Sequence, residues 1–424
     1  MAAIIFGCFL VATFLGIPIA LSMLLGGMIP IMLAGLPINI IGQRLFAAVD
    51  SFTLLSIPLF IFAGGLMDKG GVSKRLINFA NSLVGWLPGG LAVVTFFASA
   101  FFGAISGSSS ATVAAIGAIM IPGMLEAGYP RKFALATVAC AGYLGVIVPP
   151  SIPMILYGAS VGGVNIGDVF MGGIIPGFML AGSMSVYAYF FGKKHLPITG
   201  KFELANVGKT FIEAIGALGM PILILGGIYS GVFTPTEAAA VAVLYGFIIS
   251  VFVYRELDFL SLVPVIKNAC VTTGVVMLIV AGANVFGWVM TRENVTSDMA
   301  SFILSMAHNK VTFFFVVTLL LLFVGTFMDT APAVMVTSVL LAPIAKTFGI
   351  DPVFFGVILV INLAIGMVTP PVGLNLYVTA SVAKVPANEV INKHLFIYVL
   401  CAVVCLVLLM IFPEIVLFLP KMMR

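Results

Sequence analysis

Residues 145–153 read GVIVPPSIP and residues 366–374 read GMVTPPVGL. Each stretch lies inside a long apolar segment. Proline has no amide hydrogen and clashes with the preceding helical turn, so a Pro-Pro pair interrupts a helix. The two stretches therefore predict two helices, over 130–162 and 352–383, that are each broken in the middle.

Both stretches belong to an internal repeat with a spacing of 221 residues. Small apolar residues raise the number of chance identities, but the Gly and Pro matches place the same interruption at the same point of both halves. The identical positions are Pro122, Gly128, Phe133, Gly145, Pro149, Pro150, Ala159, Ser160 and Val161, matched by Pro343, Gly349, Phe354, Gly366, Pro370, Pro371, Ala380, Ser381 and Val382.

A one-residue shift extends the repeat backwards and aligns GAISGSSS at 103–110 with GTFMDTAP at 325–332. Each octet interrupts an apolar run of about 35 residues, far longer than the ~20 residues that cross a bilayer. Such a run predicts a re-entrant helical hairpin with a polar tip near the midplane. We expect the hairpins over 89–125 and 311–346.

The composition agrees with a membrane protein. Of the 424 residues, 62% are hydrophobic and 8% are charged, with a net charge of +4. Soluble domains carry ~25% charged residues, which excludes a water-soluble enzyme and a nucleic-acid-binding protein. The five cysteines lie in apolar segments without a CxxC pair, so neither a disulfide framework nor a metal site is expected.

Basic residues indicate how the two halves are oriented. They flank the first hairpin at Lys69, Lys74, Arg75, Arg131 and Lys132. The positions equivalent to the last two are Pro352 and Val353, beside Asp351. Under the positive-inside rule the first hairpin opens from the cytoplasm and the second from the opposite face. The repeat is therefore expected to be inverted.

These patterns divide the chain into five expected regions. They are scaffold helices with an amphipathic interfacial helix near 74–88 (1–88), the first hairpin and broken helix (89–162), scaffold helices with a basic connector near 193–209 (163–310), the second hairpin and broken helix (311–383), and a C-terminal helix (384–424). A short loop is the alternative for 74–88.

The two hairpin tips carry polar groups that can bind an ion or a substrate. The first has hydroxyl groups at Ser106, Ser108, Ser109, Ser110 and Thr112. The second has Asp329 and Thr330, and an acid in an apolar run costs about 2.5–3.5 kcal/mol to insert at a helix centre. A broken helix exposes carbonyl oxygens for a hard cation and helix N-termini for an anion. The pattern favours a cation-coupled transporter of anionic solutes.

Structural alternatives exist for these residues. Closely spaced Ser and Gly also let helices pack, and Asp329 also suits an N-cap position. Thr369, Asn362 and Asn375 flank the second break and offer further oxygens. The prolines of each break mainly set the shape of that break. Thr234 and Glu237 have the spacing of a capping box, which we interpret as structural first.

Two other classes of protein remain as rivals. A channel needs a continuous polar stripe, whereas the polar residues here cluster at two central points. An intramembrane enzyme needs catalytic residues, and the sequence contains neither HExxH nor GxSxG with a paired His. We therefore do not expect an enzyme.

The chain resembles the large membrane subunit of a tripartite ATP-independent periplasmic (TRAP) transporter over essentially its whole length. The motifs that carry this resemblance are SIPLFIFAG at 56–64, FGAISGSSSAT at 102–112, GVIVPPSIPMILYG at 145–158, GVFTPTEAAAVAV at 231–243 and GMVTPPVGLNLYV at 366–378. Together they are highly specific, although each alone is weak.

The resemblance implies a multi-pass protein of the bacterial inner membrane that imports an organic acid with sodium. It implies two partners, a small four-helix membrane subunit and a periplasmic substrate-binding protein. No segment resembles a fused small subunit, so a separate polypeptide is expected. The family also implies an elevator mechanism, in which hairpins and broken helices move together. Sialic acids and C4-dicarboxylates are both family substrates, and overall resemblance favours sialic acid.

Family ion sites surround the two tips and the two broken helices, and at least two sodium ions are expected. The residues assigned to sodium are Ser106, Gly107, Ser108, Gly145, Asp329, Thr330, Gly366 and Thr369. Those assigned to the substrate are Ser109, Ser110, Thr112, Pro150, Ser151, Pro371 and Asn375. A proton-coupled anion transporter or a channel-like permease without a binding protein is the alternative.

Overall fold

A computed structural model describes residues 2–196, 202–295, 301, 303, 305 and 309–422. Residues 197–201 of the predicted basic connector lie outside this part. Within the described ranges every regular element is helical. Eight helices there are long and apolar enough to cross a membrane, or up to ten spans if each of two bent pairs counts as one. The predicted all-α polytopic fold is confirmed.

The helices from the N-terminus to the basic connector are numbered in chain order. They are α1 (Ala2–Phe14), α2 (Ile19–Leu33), α3 (Asn39–Val49), α4 (Ser56–Lys69), α5 (Val72–Val84), α6 (Gly90–Ser106), α7 (Ser109–Glu126), α8 (Arg131–Gly142), α9 (Leu144–Ile147), α10 (Ile152–Ser160) and α11 (Ile166–His195). A single 3-10 turn, Thr53–Leu55, precedes α4.

The remaining helices follow the connector. They are α12 (Leu204–Tyr229), α13 (Pro235–Ile248) with a π-helical turn (Ile249–Val253), α14 (Phe259–Arg292), the second hairpin (Lys310–Phe327 and Thr330–Thr347), the second broken helix (Pro352–Gly366 and Leu374–Ala383), and three C-terminal helices (Ala387–Val390, Lys393–Ile411 and Glu414–Met422).

Both predicted hairpins are present with ends within one residue of the expected bounds. The arms of the first are α6 and α7, and the chain reverses at Gly107, whose φ of +60° favours glycine. The arms of the second, Lys310–Phe327 and Thr330–Thr347, are separated by Met328 and Asp329. Each hairpin therefore presents a short polar tip between two apolar arms.

Both predicted broken helices are present as well. The first bends by 41° between Arg131–Ile147 and Ile152–Ser160. The second ends at Gly366 and resumes at Leu374. Both Pro-Pro bonds are cis. The breaks match the interruptions that the Pro-Pro pairs predict.

Glycine lets each hairpin cross its own broken helix at close range. A Cβ on Gly103 would lie 2.5 Å from the Cα of Gly145, and a Cβ on Gly366 would lie 2.6 Å from the Cα of Gly325. These two pairs occupy equivalent positions of the repeat. The same backbone-to-backbone crossing therefore occurs once in each half.

The halves also pack across each other. The second segment of each broken helix contacts the second arm of the opposite hairpin: α10 packs on Thr330–Thr347, and Leu374–Ala383 packs on α7. The hydroxyl of Ser109 donates to Oδ1 of Asn375 at 3.0 Å. Hairpins and broken helices thus form one packed unit.

Other segments differ in detail from the sequence expectations. The apolar run 3–35 divides into α1 and α2 because Gly16 (φ +82°) and Pro18 form a turn between them. Residues 384–424, expected to form one helix, contain three.

Two local predictions hold. The predicted amphipathic helix is α5, which begins two residues early and ends at Val84 with its apolar face buried. The capping box of Thr234 and Glu237 is present with both of its hydrogen bonds.

The glycine crossings give a test of the fold. Replacing Gly103 with Ala should lower the melting temperature of the purified protein, because overpacking against a backbone costs about 1–3 kcal/mol. Gly123→Ala, on α7, is the matched control, since no atom lies within 4 Å of a Cβ there. Thermal unfolding in detergent measures both. Equal melting temperatures for the two variants would contradict the close crossing.

Candidate functional site

A cavity of about 900 Å³ lies between the two hairpin tips and the helices α2, α4 and α14. Both tips contribute to its wall, Ser106–Ser110 from the first hairpin and Asp329–Pro332 from the second. The cavity therefore meets the two polar clusters that the sequence singled out. A volume of this size accommodates a small organic molecule.

The first tip is held by its own hydroxyl groups. Ser108 is the N-cap of α7, and its Oγ accepts a hydrogen bond from the amide of Ala111 at 3.4 Å. The Oγ atoms of Ser108 and Ser110 are 3.3 Å apart. Since α7 begins at this point, its positive N-terminal end faces the cavity.

Three oxygen atoms gather behind the first tip. The Oγ atoms of Ser106 and Thr112 are 3.2 Å apart, and the Thr112 hydroxyl donates to the carbonyl of Ser108 at 2.7 Å. Gly145 closes this cluster, because a Cβ there would lie 2.7 Å from the same carbonyl. Neutral oxygen atoms at this spacing suit a small hard cation. Thr112, predicted as a substrate contact, belongs to this cluster and does not line the cavity.

Pro149 and Pro150 of the first break do not line the cavity. Residues next to them support the first tip instead. The amide of Ile152 donates to the carbonyl of Gly107 at 3.4 Å. Ser151 is fully buried; its hydroxyl donates to the carbonyl of Val146 at 2.5 Å and caps α10 through the amide of Met154. Pro150 contacts Gly107 through its carbonyl oxygen. Ser151 and Pro150, assigned to the substrate, lie outside the cavity wall in this structure.

The second tip places an acid in the cavity wall. Asp329 is the N-cap residue of the arm Thr330–Thr347. The hydroxyl of Thr330 donates to Oδ1 of Asp329 at 3.0 Å. The first backbone amides of that arm also lie against the carboxylate, so Asp329 is held at the tip by the helix it precedes.

The second break lies away from the cavity wall. The amide of Gly373 donates to the carbonyl of Thr326 at 2.8 Å, which joins the break to the second hairpin. The hydroxyl of Thr369 donates to the carbonyl of Ile365 at 2.9 Å. Gly366 packs on Gly325. The structure does not bring these residues to the cavity.

Two further predicted substrate contacts lie at this break. Asn375 is fully buried, and its Nδ2 donates to Ser109 Oγ at 2.8 Å and to the carbonyl of Ala139 at 3.3 Å. Pro371 is exposed elsewhere on the surface. Asn375 reaches the cavity only indirectly, through its hydrogen bonds with Ser109.

Asn362 provides an oxygen atom that no protein group binds. Its Nδ2 donates to the carbonyl of Ile358 at 2.8 Å, but its buried Oδ1 has no partner within the described part of the chain. A buried polar atom without a partner costs about 1–3 kcal/mol. The sequence indicated Asn362 as an oxygen donor near the second break, and its free oxygen agrees with that role.

The scaffold contributes polar residues that the sequence analysis missed. Asn268 and Thr272 of α14 line the cavity, as do Asp68 and Lys69 at the end of α4. Asn268 and Thr272 are four residues apart in an apolar segment, a spacing that places them on one helix face. That spacing was the available signal.

Comparison with known proteins identifies the family. Residues 6–415 match the family profile described as "Tripartite ATP-independent periplasmic transporter, DctM component". The chain is 37% identical to the sialic acid TRAP transporter large permease protein SiaM of Vibrio cholerae, which covers 100% of the chain and 99% of that protein. It is 35% identical to the C4-dicarboxylate TRAP transporter large permease protein DctM of Rhodobacter capsulatus, covering 100% of the chain and 99% of that protein.

A longer relative and a solved structure also match. The isethionate TRAP transporter permease protein DctMQ of Oleidesulfovibrio alaskensis is 42% identical over 91% of this chain, which spans 61% of that relative's length. The YdaH transporter of Alcanivorax borkumensis shares the fold, with a TM-score of 0.64 at 15% identity over 89% of this chain and 88% of that one.

The family profile matches nearly the whole chain, and the full-length relatives are more than 30% identical to it. These matches are consistent with the hairpins, the broken helices and the cavity that both tips line. The chain belongs to the TRAP transporter family as a large permease (DctM-type) subunit.

Proposed function

We propose that the chain is the permease subunit of a sodium-coupled importer of an organic acid anion in the bacterial inner membrane. The observation that carries this proposal is the cavity wall formed by both hairpin tips, with an oxygen cluster behind one tip and a carboxylate at the other. The same wall serves a cation and an anion through different groups.

The ligand types favour sodium over protons. Ser106, Thr112 and the carbonyl of Ser108 form a neutral oxygen cluster, and such groups bind a hard cation without titrating. Asp329 adds the charge of the second tip. Proton-coupled transport usually runs through titratable intramembrane residues, and the first cluster contains none.

Two helix ends and Lys69 attract an anionic substrate, and bound sodium would offset the Asp68 and Asp329 carboxylates in the same wall. The N-termini of α7 and of Thr330–Thr347 both open into the cavity, and Lys69 lies at its edge. A helix N-terminus carries roughly half a positive charge. Sodium bound at the tips would add further positive charge next to the substrate, so that each ligand stabilises the other's binding.

The substrate class follows from relatives and from the cavity. Two full-length relatives of this chain are named for sialic acid and for C4-dicarboxylates, which are carboxylates, and a third, longer relative is named for isethionate, a sulfonate. We propose a carboxylate of this kind, with sialic acid first. The tripartite family name supports two partners, a small membrane subunit and a periplasmic binding protein. We propose that the small subunit has four helices.

The position of the cavity supports an elevator. It lies between the hairpin unit on one side and α2, α4 and α14 on the other, so movement of one side against the other would carry the tips across the bilayer. Asp68 and Lys69 mark its rim near the basic residues that indicate the cytoplasm, which corresponds to an inward-facing state.

Uptake measurements test the coupling ion. Proteoliposomes with this chain, its small subunit and its binding protein should take up N-acetylneuraminate or succinate only with an inward sodium gradient. Ser106→Ala and Asp329→Asn should each raise the half-saturating sodium concentration about tenfold, the loss expected for one strong ligand. Ser183→Ala is the control, because that hydroxyl donates within its own helix to Leu180.

Three results would contradict this account. Uptake driven by a proton gradient without sodium would exclude sodium coupling, and full uptake by this chain alone would exclude the tripartite arrangement. Flux that does not saturate would indicate a channel. Melting temperatures of the variants show whether a change in uptake reflects misfolding.

Cross-linking tests the elevator. A Cβ on Gly287 of α14 would lie 3.4 Å from Cγ1 of Val339 in the second hairpin, close enough for a disulfide. In a chain whose native cysteines are replaced by Ala, the pair Gly287→Cys and Val339→Cys should abolish uptake when oxidised, and reduction should restore it.

The matched control joins two parts of the unit that we expect to move together. A Cβ on Gly117 of the first hairpin would lie 3.6 Å from Cγ1 of Val382 in the second broken helix. The oxidised pair Gly117→Cys and Val382→Cys should keep its uptake. Unimpaired uptake with a fully formed Gly287–Val339 cross-link would indicate a local gate instead.

A further inference from the structure

A second cavity, of about 410 Å³, lies on the opposite side of the same helix unit. The scaffold lines it with Arg44 of α3 and with Asn284 and Trp288 of α14. The hairpin unit lines it with Ser160 at the end of α10 and Met335 of the second hairpin. Like the tip cavity, it spans the boundary between the scaffold and the hairpin unit. We call it the outer cavity.

One helix forms a wall of both cavities. Along α14, positions from Val265 to Ile279 line the tip cavity, and positions from Val280 to Thr291 line the outer cavity. The two cavities therefore follow each other directly along the helix. From Val265 to Thr291 is about 39 Å at ~1.5 Å per residue, longer than the ~30 Å hydrocarbon core. Together the two sets of lining residues cover one face of most of α14.

The outer cavity has a positive charge with no partner. Arg44 is the one charged residue among those that line it in the described part of the chain, where it forms no ion pair. Its guanidinium lies 5.1 Å from the centre of the Trp288 ring. The ring holds the guanidinium by a cation–π contact but leaves its N–H groups free. A free guanidinium is suited to bidentate binding of a carboxylate.

Nearby groups add donors and shape. The exposed Asn284 carries two amide N–H groups on the same wall, one helical turn from Trp288. The guanidinium of Arg292 lies 5.5 Å from the centre of the same Trp288 ring, but it pairs weakly with Glu293 at 4.0 Å, and Arg292 does not line the cavity. Arg44 and Asn284 are thus the groups placed to bind an anion.

We propose that the outer cavity is a binding site for a small carboxylate anion, and that the anion binds there before it reaches the hairpin tips. This inference rests on the proposed function for the direction of movement. The volume fits a small organic acid, and no acidic side chain among the described lining residues opposes it. Both the scaffold and the hairpin unit line the site. Movement of the hairpin unit against the scaffold would therefore change the shape of the site and release the anion toward the hairpin tips.

Trp288 provides a direct probe of this site. The chain has two tryptophans, so Trp86→Phe leaves Trp288 as the sole one. The fluorescence of this full-length variant should change saturably with succinate or N-acetylneuraminate. Adding Arg44→Gln should raise the half-saturating concentration about tenfold or more, as for one lost charge-assisted contact. Arg44→Lys should restore part of the affinity.

Two controls locate the signal. Arg292→Gln removes the other guanidinium beside the same ring and should change the half-saturating concentration by less than about twofold, because its exposed ion pair contributes little. Asp329→Asn alters the tip cavity and should leave binding at Trp288 unchanged. The half-saturating concentration, rather than the amplitude, is compared, because either arginine affects the emission itself.

Each outcome is decisive for the site. Unchanged affinity in Arg44→Gln, loss of the signal in Asp329→Asn, or no saturable change with either anion would overturn the outer site. Normal sodium-driven uptake together with such a result would leave the proposed function intact. Saturable binding at Trp288 without sodium-driven uptake would instead contradict the proposed function alone.

Discussion

A broken helix inside a membrane must find hydrogen-bond partners, because hydrocarbon provides none and each unpaired backbone group costs several kcal/mol. The chain meets this constraint with its own backbone. The amide of Ile152 binds the carbonyl of Gly107, and the amide of Gly373 binds the carbonyl of Thr326. In each half, the break thereby becomes tied to a hairpin. The close glycine crossings make these bonds geometrically possible, since a side chain at either crossing would separate the two backbones.

This dependence explains why the hairpins and broken helices form one body. Each break is bonded to the hairpin of its own half, and each second segment packs on the hairpin of the other half. The Ser109–Asn375 hydrogen bonds reinforce the second kind of contact in a fully buried position. A unit that satisfies its polar backbone internally can face a scaffold through mainly apolar surfaces. That property is what movement through a bilayer requires.

Much of the fold could be predicted because its decisive features are local. The Pro-Pro pairs and the polar octets mark interruptions directly in the sequence, and the hairpin ends differ from expectation by one residue. The C-terminal segment was harder, because short connections such as that at Phe412 and Pro413 break a helix without a change in hydropathy. The turn between α1 and α2 likewise interrupts an apolar run without a change in hydropathy.

The site was predicted less completely, because a cavity depends on which helices meet. Composition indicated Ser106–Ser110 and Asp329, and these residues share a wall. It could not show that Asn375 turns toward Ser109, that Ser151 caps its own helix, or that Asn268 and Thr272 of α14 face the tips. The Ser109–Asn375 contact and the position of α14 beside the first tip arise from packing between segments more than a hundred residues apart, whereas the Ser151 cap depends on how the chain turns at the first break.

The central claim is that both tips bind sodium, and hydrogen–deuterium exchange tests it directly. Exchange of peptides covering 106–112 and 329–334 would be compared in sodium chloride and in choline chloride of equal ionic strength. The account predicts slower exchange at both tips in sodium, with Ser106→Ala removing the sodium-dependent protection of the first. Equal exchange rates at both tips in the two salts would contradict it.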